Sequence, residues 1–113
     1  HREKRNKKTN QVLARQINNG LKSIKNKSNI IVAYEPVWSI GTGLIPASED
    51  LLKSVSFIKN RFSKKSPKIL YGGSVNSNNI AQIKDIDIID GFLIGGASQS
   101  PKKFIDIIKK TFI

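Results

Sequence analysis

The sequence predicts an α/β fold built on a parallel sheet, and three observations predict it. Segments with helical periodicity alternate with short apolar runs, in the order α-β-α-β-α-β-α over 113 residues. The intervening helices have the length of crossover connections, which join parallel strands with right-handed geometry. Each apolar run then closes on an acid or on paired glycines, the chemistry found at the C-terminal edge of parallel sheets.

The elements follow in order. From Glu3 to about Ile24, Leu13, Ile17, Leu21 and Ile24 recur at i, i+4, i+8 and i+11, one stripe of an amphipathic helix. An Asn-rich stretch, 26–29, ends it, and Ile30-Ile31-Val32-Ala33-Tyr34 reads as a strand buried on both faces. Ser48, Glu49 and Asp50 start a second helix, with acids at the positive end of its dipole. Leu51, Val55, Ile58 and Phe62 mark its core face, and Pro67 bars its continuation. Ile69-Leu70-Tyr71 is a short strand closed by Gly72-Gly73-Ser74, and a brief helix covers about Asn78 to Lys84. Gly91-Phe92-Leu93-Ile94 is the third strand, closed by Gly95-Gly96-Ala97-Ser98. Ser100 as cap and Pro101 at the first position open the last helix, with Phe104, Ile108 and Phe112 on one face. This alternation fits a doubly wound sheet or part of a (β/α)8 barrel.

Composition narrows the function classes. A chain of this length makes one modest domain, burying about 65% of its unfolded surface. Without cysteine there is no disulfide framework and no thiolate metal site, which suits a reducing cytoplasm. No apolar run approaches the roughly 20 residues of a membrane span. The net charge of +12, from 20 Lys and Arg against 8 Asp and Glu, raises nucleic acid as a partner. Lysines scatter along the helical segments, however, and the one dense patch, Arg2 to Lys8, has too few aromatics for a base-stacking platform. Lys, Asn and Ile make up 44 residues, as codon bias in an AT-rich genome produces. Solvated helix faces therefore outweigh a nucleic-acid footprint. His1, a lone terminal histidine, is read as incidental.

The strand ends carry the chemistry. Glu35 is held in extended geometry by Pro36, and no Lys or Arg lies within five residues of it, so helix-cap and local salt-bridge readings do not account for it. Val37 and Trp38 are expected to desolvate it, raise its pKa and make it a usable base. Glycine pairs lack a Cβ, so their backbone N–H groups can approach an anion closely. A tight strand-to-helix turn accounts for either pair alone; two pairs beside a carboxylate point to a phosphate site. Tyr71 and Trp38, taken singly, read as core residues.

At these residues a family resemblance emerges. "AYEPVWSIGTG", "YGGSV" and "DGFLIGGAS", in this order and spacing, resemble strands six, seven and eight of the triosephosphate isomerases. "EKRNKKTNQVLARQI" resembles the helix after that family's fifth strand, so the resemblance covers essentially the whole chain. It implies a TIM (β/α)8 barrel, of which residues 1–113 form only the C-terminal half of a single domain. It further implies that Glu35 shuttles a proton between the adjacent carbons of dihydroxyacetone phosphate and glyceraldehyde 3-phosphate. Pro36, Val37 and Trp38 match the hinge of a lid, and Ser39, Ile40, Gly41, Thr42 and Gly43 its tip. Gly41, Ser74, Gly95 and Gly96 match residues whose N–H groups hold phosphate, and Tyr71 and Ser74 match those that latch the closed lid. No metal or cofactor is implied. The implied partners are triose phosphates and, in full-length members, a second subunit of a homodimer; the implied location is the cytoplasm.

Two departures stand out. Leu44-Ile45-Pro46 replaces the Lys-Thr-Ala hinge of many relatives, and Pro46 is expected to stiffen that end. The family's catalytic histidine, substrate-binding lysine and main dimer loop belong to the half before residue 1, so the chain alone is expected to be inactive. Two other readings compete: a different phosphate-binding barrel, against which Glu35-Pro36-Val37-Trp38 argues, and a basic, non-catalytic phosphate- or nucleic-acid-binding remnant of a broken isomerase gene.

Overall fold

The computed structural model describes residues 2–25, 29–36, 46–62 and 66–112, with side chains from Lys8 onward. Its elements are α1 (Arg2–Leu21), β1 (Ile31–Tyr34), α2 (Ser48–Asn60), β2 (Lys68–Tyr71), α3 (Ile80–Lys84), β3 (Gly91–Phe92) and α4 (Pro101–Phe112), with a 3-10 turn at Gly96–Gln99. The strands lie in chain order, β1-β2-β3, and both pairings are parallel. Ile31 faces Lys68 and Tyr34 faces Tyr71; Leu70 and Tyr71 then face Gly91 and Phe92.

This arrangement fits a segment of (β/α)8 barrel wall. A doubly wound sheet reverses its strand order and carries helices on both faces. Here the order never reverses, and residues of all four helices enter one core cluster with one face of the sheet. Leu13 of α1, Leu51, Val55 and Ile58 of α2, Ile80 and Ile83 of α3, and Ile107 of α4 pack with Ile69 and Tyr71 of β2. Side chains alternate across a strand, so Val32, Tyr34 and Phe92 join from the same side. Parallel strands in unreversed order, with the helices on one face, are the arrangement of a barrel wall.

The helices differ in detail from expectation, and α1 ends at Leu21, so Ile24 falls beyond the helix and is exposed rather than on its core stripe. Ser48 is the first residue of α2 rather than its cap; Ala47 holds the cap position and contributes no side-chain hydrogen bond. Glu49 and Asp50 still sit in the first turn, where the dipole favours them. In α4 the packing face is centred on Ile107, with Phe104 half-buried, whereas Ile108 and Phe112 point outward. That helix carries two apolar stripes, and periodicity alone does not say which one meets the sheet. Its start is as expected: Ser100 Oγ accepts from the Lys103 N–H at 3.3 Å, and Pro101 opens the helix.

The other face of the sheet is open. Ile31 is 66% exposed, Leu93 45%, and Ala33 is exposed as well, so the expected burial on both faces occurs on one only. Parallel strands of such apolar composition ordinarily have both faces covered. A groove of about 790 Å³ runs between α1 and the outer edge of β1, lined by Val12, Leu13, Ile17, Gly20, Ile31 and Tyr34 among others. The radius of gyration, 14.7 Å, exceeds the roughly 13 Å of a compact domain of this length.

An uncovered apolar face beside an unpaired strand edge favours association between copies. The purified 113-residue chain should therefore sediment as species whose size grows with concentration, and Ile31→Lys combined with Leu93→Lys should shift it toward monomer. A chain that stays monomeric up to about 100 µM, far above the range of a micromolar Kd, would contradict this account.

Candidate active site

Parallel pairing brings the three strand ends to one edge of the sheet. Glu35 follows β1 directly, Gly72-Gly73-Ser74 follows β2, and Gly95-Gly96 stands three residues beyond Phe92 of β3. The ladder continues past the strands, keeping these ends side by side. The Gly72 N–H donates to the Tyr34 carbonyl at 2.9 Å, and the Leu93 N–H donates to the Tyr71 carbonyl at 2.9 Å.

Alternation along β1 puts Glu35 on the open face with Ile31 and Ala33, and Glu35 is exposed. The desolvation expected for it is thus not supplied by the described residues. Val37 and Trp38, the neighbours that were to provide it, lie outside them, as do Ser39, Ile40, Gly41, Thr42, Gly43, Leu44 and Ile45. Pro36 is described and buried, which anchors the root of that segment. The Glu35 side chain bends across toward β2 and lies over Gly72: a Cβ built there would stand 2.7 Å from its Cγ. Lys8 of α1 lines the groove that ends at Glu35 and Pro36, so a cation borders the same opening.

The β2 turn is held from below. Asn79 Nδ2 donates to the Ser74 carbonyl at 2.9 Å, and Asn79 Oδ1 accepts from the Asn76 N–H at 2.9 Å. Asn76 Oδ1 in turn accepts from the N–H groups of Asn78 and Asn79, at 2.8 and 3.1 Å. Two interlocked Asx turns replace the first turn of the expected helix, which therefore starts at Ile80 rather than near Asn78. Tyr71 is fully buried in the helix-side core.

The β3 turn is more open. The Gly95 carbonyl accepts from both the N–H and the Oγ of Ser98, at 2.9 and 2.6 Å, which folds Gly96–Gln99 into the 3-10 turn. A Cβ added at Gly95 or Gly96 meets nothing within 4 Å. The backbone there borders open space at the edge that carries Glu35, which is room for an anion. Among the described residues no group of three His, Cys, Asp or Glu side chains is placed to hold a metal ion.

One residue that sequence reasoning missed fixes this geometry from the opposite edge. Asp90 Oδ2 accepts from the Ile69 N–H at 2.9 Å, and the Asp90 N–H donates to the Ile69 carbonyl at 2.9 Å. Lys59, in the last turn of α2, approaches the same oxygen at 3.6 Å. Asp90 thus locks β3, only two residues long, to the start of β2. An acid immediately before a short apolar run was the available signal, but its partners are 21 and 31 residues away in the chain.

The chain is similar in sequence to known proteins. A family model described as triosephosphate isomerase matches residues 1–111. The triosephosphate isomerase of Thermodesulfovibrio yellowstonii is 42% identical over 113 residues, covering 95% of this chain and 46% of that protein. The Saccharomyces cerevisiae triosephosphate isomerase is 45% identical over 113 residues, covering 94% and 45% respectively. The Candida albicans protein of the same name is 47% identical over 105 residues, covering 87% and 42%. The chain spans rather less than half the length of these curated relatives.

Two substitutions test the two ends of this arrangement. Gly95→Val or Gly96→Val should leave the circular dichroism spectrum intact while weakening phosphate binding at least tenfold by titration, because the added side chain fills only open space. Asp90→Ala should cost about 1.5–3 kcal/mol, the range for a hydrogen bond to a charged group, read as faster exchange of the Ile69 amide. Asp90→Asn, which keeps an acceptor, should cost less.

Proposed function

Because the chain belongs to the triosephosphate isomerase family, we propose that it is the C-terminal half of an enzyme interconverting dihydroxyacetone phosphate and D-glyceraldehyde 3-phosphate, a step of glycolysis and gluconeogenesis. The observation that carries this reading is the meeting of Glu35 with the Gly72 and Gly95-Gly96 turns at one sheet edge. The Glu35 carboxylate takes a proton from the carbon beside the carbonyl, leaving an enediolate, and returns it to the neighbouring carbon. The substrate phosphate lies against the N–H groups of Gly41, Ser74, Gly95 and Gly96. The lid from Pro36 to Gly43 closes over it, latched by Tyr71 and Ser74, and excludes water, which protects the enediolate from side reactions. No cofactor takes part.

The electrophilic histidine and the lysine come from the preceding half, which also covers the open face around Ile31 and Leu93. The complete enzyme is a cytoplasmic homodimer acting on free triose phosphates. The chain alone, with a base and a phosphate cradle but no group to polarise the carbonyl, is inactive.

Mixing the purified chain with the N-terminal half of the Saccharomyces cerevisiae relative, both free of host isomerase, tests the reading. Isomerase activity should be absent from each half and arise on mixing. Retention of the chain on heparin at moderate salt, with no activity on mixing, would favour a basic binding remnant instead. In the active mixture, Glu35→Asp withdraws the carboxylate by one methylene. A displacement near 1 Å can cost about 100-fold in rate, so kcat should fall by that order with KM little changed. Unaltered kcat would remove Glu35 as the base.

A further inference from the structure

We propose that the outer flank of α4 is a docking surface for an anionic lipid bilayer, on which the chain lies peripherally. This goes beyond the isomerase reading and does not depend on it. Within Pro101–Phe112 the exposed large apolar side chains are Ile105, Ile108 and Phe112, at 51%, 41% and 82% exposure. Their spacing of i, i+3 and i+7 puts them on one side of the helix. Ile107 packs in the core from another side, so the helix is held to the sheet without this stripe. Phe112 is the most exposed large apolar side chain among the described residues.

Charge identifies the partner. Lys102 and Lys109 are exposed and border the stripe: Lys102 stands three residues before Ile105, and Lys109 four after it and three before Phe112. Asp106, the one acid of the helix, is paired with Lys110 at 3.6 Å and offsets little of that charge. Lysine stems can lie along an apolar phase while their ammonium groups stay at the level of lipid headgroups. A basic border around an apolar strip therefore matches a negatively charged membrane surface. A second copy fits this flank poorly, because Lys102 and Lys109 would meet like charges on a chain that also carries +12. A protein partner needs about 800 Å² per side, whereas the stripe runs only about 10 Å along the helix axis. A lipid surface accepts a narrow strip without matching its shape. No helix among the described residues is long and apolar enough to cross a membrane, so this binding stays at the interface.

Co-sedimentation of the 113-residue chain with sucrose-loaded vesicles, counted against a lipid-free control, tests the proposal. The chain should pellet with vesicles of equal parts phosphatidylcholine and phosphatidylserine, and not with phosphatidylcholine alone. Ile108→Ser with Phe112→Ser should raise the lipid concentration for half-binding at least about tenfold, and Lys102→Gln with Lys109→Gln should do the same. All four side chains are exposed, so the circular dichroism spectrum should not change. Lys22→Gln with Lys25→Gln, exposed lysines beyond the end of α1, should have little effect. Failure to pellet with the anionic vesicles would overturn the proposal. Equal losses from the two lysine pairs would do so as well, since they would mark attraction by net charge alone. Vesicle binding untouched by Ile108→Ser with Phe112→Ser would also sink it. If that variant instead loses self-association, or no longer restores activity with the Saccharomyces cerevisiae N-terminal half, the stripe's occupant is that protein surface and not a membrane.

Discussion

Four residues, Lys68 to Tyr71, hydrogen-bond to strands on both sides, and the geometry of the site depends on them. Glu35 belongs to the end of β1 and Gly95 to the turn beyond β3, and the two strands are not paired with each other. Their relative position is transmitted through β2, by the Gly72-to-Tyr34 bond on one side and the Leu93-to-Tyr71 bond on the other. At the far end of β2 the reciprocal bonds between Asp90 and Ile69 prevent β3 from slipping. A slip of one residue would turn Leu93 inward and move the glycine turn to the wrong face. The short third strand is sufficient because a side chain at its entrance, and not its own length, fixes its register.

The same sheet is asymmetric in its environment. On the helix side Leu51, Val55, Ile58, Ile69, Tyr71, Ile80 and Ile83 are essentially inaccessible, each contributing about 1.5–3 kcal/mol by burial. On the other side Ile31 and Leu93 are far less buried and contribute correspondingly less, and Ile105, Ile108 and Phe112 line an exposed stripe on α4. Among the described residues the uncovered surfaces include the second face of the sheet, the free edges at β1 and β3, and the outer flank of α4.

The high positive charge has a structural use besides solubility. Lys59 meets Asp90, Lys84 donates to the Lys110 carbonyl at 2.7 Å, and Lys110 donates to the Ser77 carbonyl at 3.1 Å. The last two tie α3 and its preceding turn to the end of α4. Lysines late in helices are favourably placed against the negative end of the dipole.

Sequence alone determined the order of elements, the core face of α2, the first half of the α1 stripe (Leu13 and Ile17), the capping of α4 and the identity of the strand-end residues. These follow from periodicity and turn chemistry, which act over a few residues. It also carried enough motif information to reach the family. It did not determine which stripe of α4 packs, that α3 begins two residues late behind the Asn76–Asn79 turns, or that the helices share one face. Nor did it reveal that Asp90 secures Ile69, or that Glu35 lies over Gly72. Each of these depends on which segments meet across 20 or more residues of chain, or on which of two comparable surfaces wins a place in the core. A glycine reads the same in sequence whether it borders a ligand, makes a turn or yields room to a neighbour. Only the register between β1 and β2, set by packing against the helices, decides which.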